Sequence, residues 1–211
     1  MVETPSTAVD RVVTSGVVRR DGVVQDVETN VWIVGEHRRV ILIDPALDHF
    51  EIVRALGDRE VMAILCTHGH SDHIDAAAEI AALTDAPVLL HPGDEPLWNA
   101  MYPDRPTDAP LLDGEILRVG AIELRVVQVP GHTPGSVCVH APELGVVFTG
   151  DSLPTPAAPG EENPCGMTIP AQSGQARLRG LSGDTIVCPG HRAPTTLAEV
   201  TQRIAGDVET G

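Results

Sequence analysis

Apolar residues in this chain come in short runs broken by Gly, Pro, Asp and Asn, a pattern of strands and turns more than of long helices. Arg11 to Val18 and Val23 to Val27 are Val-rich and flank Arg19-Arg20-Asp21-Gly22, whose Asp-Gly pair signals a hairpin. Val31 to Val34 and Val40 to Ile43 are two more β-branched runs joined by a charged turn, and Asp44-Pro45 ends the second. Phe50 to Leu56 has helical spacing and stops at Gly57. Val61 to Cys66 is nearly all apolar, which predicts a strand buried on both faces. An Ala-rich helical pattern runs from Ala76 to Leu83, and Pro87 to His91 reads as a short strand. Pro92 to Pro110 reads as a Pro-rich connector holding Trp98 and Tyr102.

The second half repeats this grammar. Ile116 to Val119 and Ile122 to Val129 pair across Gly120-Ala121, and Ile122 to Val126 alternates as a strand with one wet face does. Ser136 to His140, Val146 to Phe148 and Thr185 to Cys188 are further strands. Residues 152–170 are read as a Pro-rich loop, Gln172 to Leu181 as a short helix, and Thr195 to Ile204 as a C-terminal helix. Strands followed by helices in both halves suggest two packed β-sheets with helices outside. No composition shift marks a linker, so residues 11–211 are expected to form one domain behind a loose tail, residues 1–10.

Composition narrows the partners. With 211 residues and 42% hydrophobic content the chain can build a sizeable core, but aromatics are only 2%, so Val, Ile, Leu and Ala must fill it. The formal net charge of −16 argues against nucleic acid and anionic membrane surfaces as partners. The polar start, Met1 to Asp10, does not read as a signal peptide, and no apolar run approaches the ~20 residues that span a bilayer. Cys66, Cys138 and Cys188 sit in apolar strand-like runs, and Cys165 lies in a loop. Without C-x-x-C spacing, reduced thiols and a cytoplasmic protein are expected.

The chemistry gathers at strand ends. Thr67-His68-Gly69-His70-Ser71-Asp72-His73-Ile74-Asp75 follows an apolar strand and opens a helix. Imidazole and carboxylate are ligands that zinc, manganese and iron accept. His132 and His191 each follow Pro-Gly, and Asp151 follows Gly150, where glycine lets the backbone turn sharply. Asp44 either steadies a ligand histidine or merely forms the turn before Pro45. His37, His49, His91 and His140 are read as non-ligands.

His68-Gly69-His70-Ser71-Asp72-His73, then Pro-Gly-His132, Gly-Asp151 and Pro-Gly-His191, resembles the metallo-β-lactamase-fold hydrolases in order and spacing, from about Val12 to Ile204. The resemblance implies an α/β (α+β) fold, a four-layer αββα sandwich with metals at one edge between the sheets. It implies a first metal on His68, His70 and His132, a second on Asp72, His73 and His191, and Asp151 bridging the two. The expected cofactors are two divalent ions, zinc first and iron or manganese otherwise. Asp72 is expected to orient the nucleophile as well as bind metal. Asp72 within the cluster and histidine at 191 make glyoxalase II and its thioesterase-like relatives the nearest subgroup. The implied activity is hydrolysis of a small thioester.

The chain departs from glyoxalase II proper. Only twenty residues follow His191, fewer than that family's C-terminal glutathione-binding domain needs, so glutathione recognition is not carried over. With Asn30-Val31-Trp32-Ile33-Val34 and Leu90-His91-Pro92, the chain looks like a bacterial group of short hydrolases that includes S-formylmycothiol hydrolase candidates. Three alternatives remain: a persulfide dioxygenase-like mono-iron enzyme, a lactone or β-lactam hydrolase, and a non-catalytic family member. The segments 92–110 and 152–181 are expected to choose the substrate.

Overall fold

The structure, a computed structural model, describes residues 8–20, 23–154 and 176–209. Twelve strands form two six-stranded sheets among the described residues. The first contains β1 (Val9–Arg20), β2 (Val23–Gly35), β3 (Arg39–Ile43), β4 (Glu60–Cys66), β5 (Val88–Leu90) and β6 (Ala109–Pro110), in that order across the sheet. The second contains β7 (Ile116–Val119), β8 (Ile122–Gln128), β9 (Val137–Ala141), β10 (Val146–Gly150), β11 (Ile186–Pro189) and β12 (Thr195–Thr196), likewise ordered in sequence. The helices are α1 (His49–Leu56), α2 (Ser71–Ile74), α3 (Ala77–Thr84), α4 (Glu95–Met101) and α5 (Leu197–Glu209), with a 3-10 turn at Pro92–Asp94.

Strand periodicity assigns each apolar side chain to a layer. Trp32, Val34, Ile41, Ile43 and Leu65 of the first sheet pack between the sheets against Leu124, Val126, Val137, Val139 and Phe148 of the second. The Trp32 and Phe148 rings meet there with centroids 5.7 Å apart. The alternate residues Val31, Ile33, Val40, Leu42, Ile64 and Cys66 face outward and are covered by Ile52, Ile74, Ala77, Ile80 and Trp98 from the helices. On the other side Cys138, Val147 and Val187 pack against Leu197 and Val200 of α5. Both sheets are therefore apolar on two faces, and the layers run helix, sheet, sheet, helix.

This arrangement brings strand ends to one edge. β3, β4 and β5 are parallel, so their C-terminal ends lie together. In the second sheet β10 is parallel to β11, and both β8 and β10 run antiparallel to β9. The ends of β8, β10 and β11 thus also share an edge. Backbone hydrogen bonds stitch the two edges together: Val137 N donates to Thr67 O at 2.8 Å and Asn30 N to Gly190 O at 2.7 Å.

Several sequence expectations need correction. Residues 8–10 do not form a loose tail: Val9 and Asp10 belong to β1, Val9 is buried between the sheets, and Ala8 O accepts a hydrogen bond from Gly35 N at 2.9 Å, while residues 1–7 lie outside the described residues. The runs at 23–27 and 31–34 are one strand, because polar Glu28, Thr29 and Asn30 continue the pairing with β1. The connector from 92 to 110 contains α4, where Pro96 occupies the first turn that lacks backbone acceptors and so tolerates it. Thr195 and Thr196 pair with β11 before α5 begins. Asp21-Gly22, Cys165 and most of 152–181 lie outside the described residues, although 176–178 are helical. Among the described residues no helix is long and apolar enough to cross a membrane.

Candidate metal centre

His68, His70, Asp72 and His73 leave the end of β4, His132 follows β8, and Asp151 and His191 follow β10 and β11. All seven converge. His68, His70 and His132 offer ligand atoms within 4.8 Å of one another, and so do Asp72, His73 and His191. Asp151 lies between the groups: its carboxylate is 3.6 Å from His132 Nε2, 3.6 Å from His73 Nε2 and 3.5 Å from His191 Nε2. Asp72 Oδ2 is 3.4 Å from His191 Nε2, and its side chain is fully buried. Two glycines permit this crowding. A Cβ on Gly190 would stand 2.4 Å from His73 Cε1, and one on Gly150 would overlap the Thr67 hydroxyl.

The supporting hydrogen bonds orient the rings. His191 Nδ1 donates to Glu28 O at 2.6 Å, and His73 Nδ1 donates to Asp44 Oδ2 at 3.1 Å. Thr67 Oγ1 donates to Asp44 Oδ2 at 2.7 Å, so its oxygen accepts from His68 Nδ1 at 3.1 Å. With each Nδ1 acting as donor, the neutral forms of these rings carry their lone pair on Nε2. Those atoms face other imidazoles: His73 Nε2 is 3.3 Å from His191 Nε2, and His68 Nε2 is 3.2 Å from His132 Nε2. A shared proton or a bound metal ion is what lets two such nitrogens stand this close. The donor set, imidazole nitrogens and buried carboxylates in two groups with Asp151 between them, fits divalent metal ions.

Protons respond to the same geometry. Burial and the neighbouring His73 push the His68 pKa well below the usual imidazole value. Burial also opposes charge on His73, but Asp151, Asp44 and Asp72 overcome it and raise its pKa to about 10. Asp151 is held well below the carboxylate range: burial disfavours its charge, and His73 and His191 outweigh that.

Asp44 is more than a turn before Pro45. It is buried in a left-handed conformation (φ 53°) and accepts from Thr67 N at 2.7 Å as well as from Thr67 Oγ1 and His73. Residues to which the sequence assigned no part in the site hold the His191 loop. Arg11 and Asn30 side chains both donate to Arg192 O, at 2.8 and 2.6 Å, and Asn30 Nδ2 and Trp32 Nε1 donate to Pro189 O. Their only signal was a polar Asn inside an apolar strand. Asp94, hidden in the Pro-rich segment, is fully buried and accepts from Gly69 N, Thr133 Oγ1 and Gly135 N.

Trp98 and Tyr102 pack against each other, ring centroids 4.5 Å apart. Trp98 is buried and donates to Arg105 O, and the Tyr102 hydroxyl binds the backbone oxygens of Ile74 and Asp75 at the end of α2. His49 lies 3.3 Å from Glu79, and His91 Nδ1 accepts from Gly93 N to start the 3-10 turn.

Residues 24–191 match the model of the metallo-beta-lactamase superfamily. An uncharacterized protein of Aquifex aeolicus is 30% identical over 187 residues, 82% of this chain and 89% of that protein. A hydroxyacylglutathione hydrolase of Cereibacter sphaeroides is 36% identical over 163 residues, 74% of this chain; the match spans 59% of that enzyme. The crystal structure of TTHA1623 in a di-iron-bound form is 31% identical with a TM-score of 0.65, covering 81% of this chain and 91% of that one. With its αββα layers and strand-end His and Asp groups, this chain belongs to the metallo-beta-lactamase superfamily.

Proposed function

We propose that this protein is a dinuclear metallohydrolase that cleaves a small thioester. The observation that carries the reading is the paired convergence of imidazole Nε2 atoms, His68 on His132 and His73 on His191, around the shared carboxylate of Asp151. Two divalent ions held there supply a hydroxide nucleophile near neutral pH and polarise the substrate carbonyl.

The chain's own part is to place those groups and keep them fixed. Asp151, its pKa held down by His73 and His191, reaches both halves. Asp72 stands beside the His73/His191 half from the start of α2, where its carboxylate would hold metal and orient the nucleophile. Asp44, Thr67 and Glu28 hold three of the rings with Nε2 inward, so little reorganisation accompanies reaction. The similarity to a hydroxyacylglutathione hydrolase supports an acyl thiol as substrate. The finer reading is a formyl or acyl conjugate of a small thiol, of the mycothiol type.

The test is a panel of thioesters, including hydroxyacyl and formyl conjugates of glutathione and mycothiol, run beside lactones and phosphoesters. Thioester cleavage abolished by chelator and by Asp72→Ala is expected. One iron per chain with oxygen uptake on a persulfide, and no thioester cleavage, would sink the proposal.

A further inference from the structure

The buried carboxylate of Asp94 belongs to no ligand group, yet it touches both loops of one half of the site. Oδ2 accepts from Gly69 N at 2.9 Å and from Thr133 Oγ1 at 2.6 Å, and Oδ1 accepts from Gly135 N at 2.7 Å. Gly69 lies between His68 and His70. Thr133 follows His132. Three donors reach a side chain with no exposed surface, and that burial is tolerable only because each oxygen is satisfied.

The surrounding backbone is shaped to admit this carboxylate. A Cβ on Gly135 would stand 2.7 Å from Asp94 Cγ, and a Cβ on Gly69 would stand 2.8 Å from Leu97 Cβ. Ser136 completes the arrangement, its hydroxyl 2.7 Å from Thr133 Oγ1 and 3.0 Å from Thr133 N. The His73 and His191 rings are held by other groups, Asp44 and the Glu28 carbonyl.

We infer that Asp94 is a positioning residue for the His68/His70/His132 half of the centre, locking the loop after β4 to the loop after β8. The inference rests on the metal reading above. It assigns the Pro-rich segment a role in metal affinity, where sequence suggested only substrate choice. An asparagine at 94 keeps the shape but turns an NH2 group toward one of the two glycine N–H donors. Thr133→Val removes a single donor, and Thr133→Ser restores it.

The test uses the full chain stripped with chelator and titrated with cobalt, whose absorption bands report each site as it fills. Asp94→Asn is expected to weaken one of two sites by about 10–100-fold and leave the other unchanged. Thr133→Val is expected to show a smaller loss at the same site, reversed in Thr133→Ser. Hydrogen exchange on the metal-free proteins provides a second arm. Protection is expected to fall at 68–70 and 132–136 in Asp94→Asn and to hold around His191. Equal weakening of both sites, or unchanged protection in both loops, overturns the inference. A wild-type chain that takes up no cobalt defeats the dinuclear reading alone, and the exchange arm then decides whether Asp94 locks the loops. If Asp94→Asn does not fold, Thr133→Val carries both arms.

Discussion

Asp44 provides the most quantitative test of how the site is supported. Its carboxylate accepts three hydrogen bonds in a fully enclosed setting, from Thr67 N, Thr67 Oγ1 and His73 Nδ1. Asp44→Ala leaves a buried N–H and a buried imidazole donor without acceptors. Removing one partner of such a buried charged network costs about 3–5 kcal/mol. Asp44→Asn keeps one acceptor oxygen and should lose about half as much. With a urea m-value of roughly 2 kcal/mol per M, Asp44→Ala lowers the unfolding midpoint of chelator-treated protein by about 2 M. Freed rotation of His73 also lowers zinc affinity by about 10–100-fold. Urea titration followed by circular dichroism reads the first effect, and competition with a chromophoric chelator reads the second. Asp44→Ala within about 1 kcal/mol of wild type, with zinc affinity intact, would reduce Asp44 to a turn-former and refute the reasoning.

Three further outcomes are expected. Gly190→Ala drives a methyl group against His73 and Asp151, so it should reduce metal content and stability by about 1–3 kcal/mol, whereas Gly180→Ala, which meets nothing within 4 Å, should change neither. Trp32→Phe removes the 3.1 Å hydrogen bond to Pro189 O and should cost about 0.5–1.5 kcal/mol in denaturant melts, with a milder loss of metal affinity than Asp44→Ala. In metal-free protein His73 has its pKa raised to about 10, so its stabilising charge is fully present below the unfolded value near 6.5 and is lost as pH rises through 10. The melting temperature of chelator-treated protein should therefore fall across that window. Zinc binding at pH 7 should release this proton, which calorimetry in two buffers of different ionisation enthalpy would show.

What could be read from sequence followed from pattern strength. Val40–Ile43, Val61–Cys66 and Ile122–Val126 are strands with strong apolar signals, and burial on both faces was legible for Ala63–Cys66 of β4, although Met62 at its start is exposed. The His68–His73 cluster stood out because three His and an Asp in six positions have little other use, whereas His132, Asp151 and His191 were marked by the Gly or Pro-Gly before them and by the resemblance. The missed features depend on long-range contacts. Asp94 looks like any Asp before a helix, and only the folded chain brings Gly69 and Gly135, far away in sequence, onto its oxygens. Arg11, Asn30 and Trp32 act on a loop near the other end of the chain. Helix α4 was obscured by Pro92 and Pro96, which local grammar reads as loop but which fit a 3-10 turn and a first helical turn. Polar residues in the middle of β2 hid its continuity, because its pairing with β1 comes from tertiary packing and not from alternation.

The central claim is that these seven residues hold two ions, three ligands to each half with Asp151 between. Elemental analysis of the purified, zinc-saturated chain tests it most directly, beside His132→Ala and His191→Ala. Two ions per chain in the wild type and about one in each variant is the predicted result. One or fewer in the wild type, or two in either variant, contradicts the account.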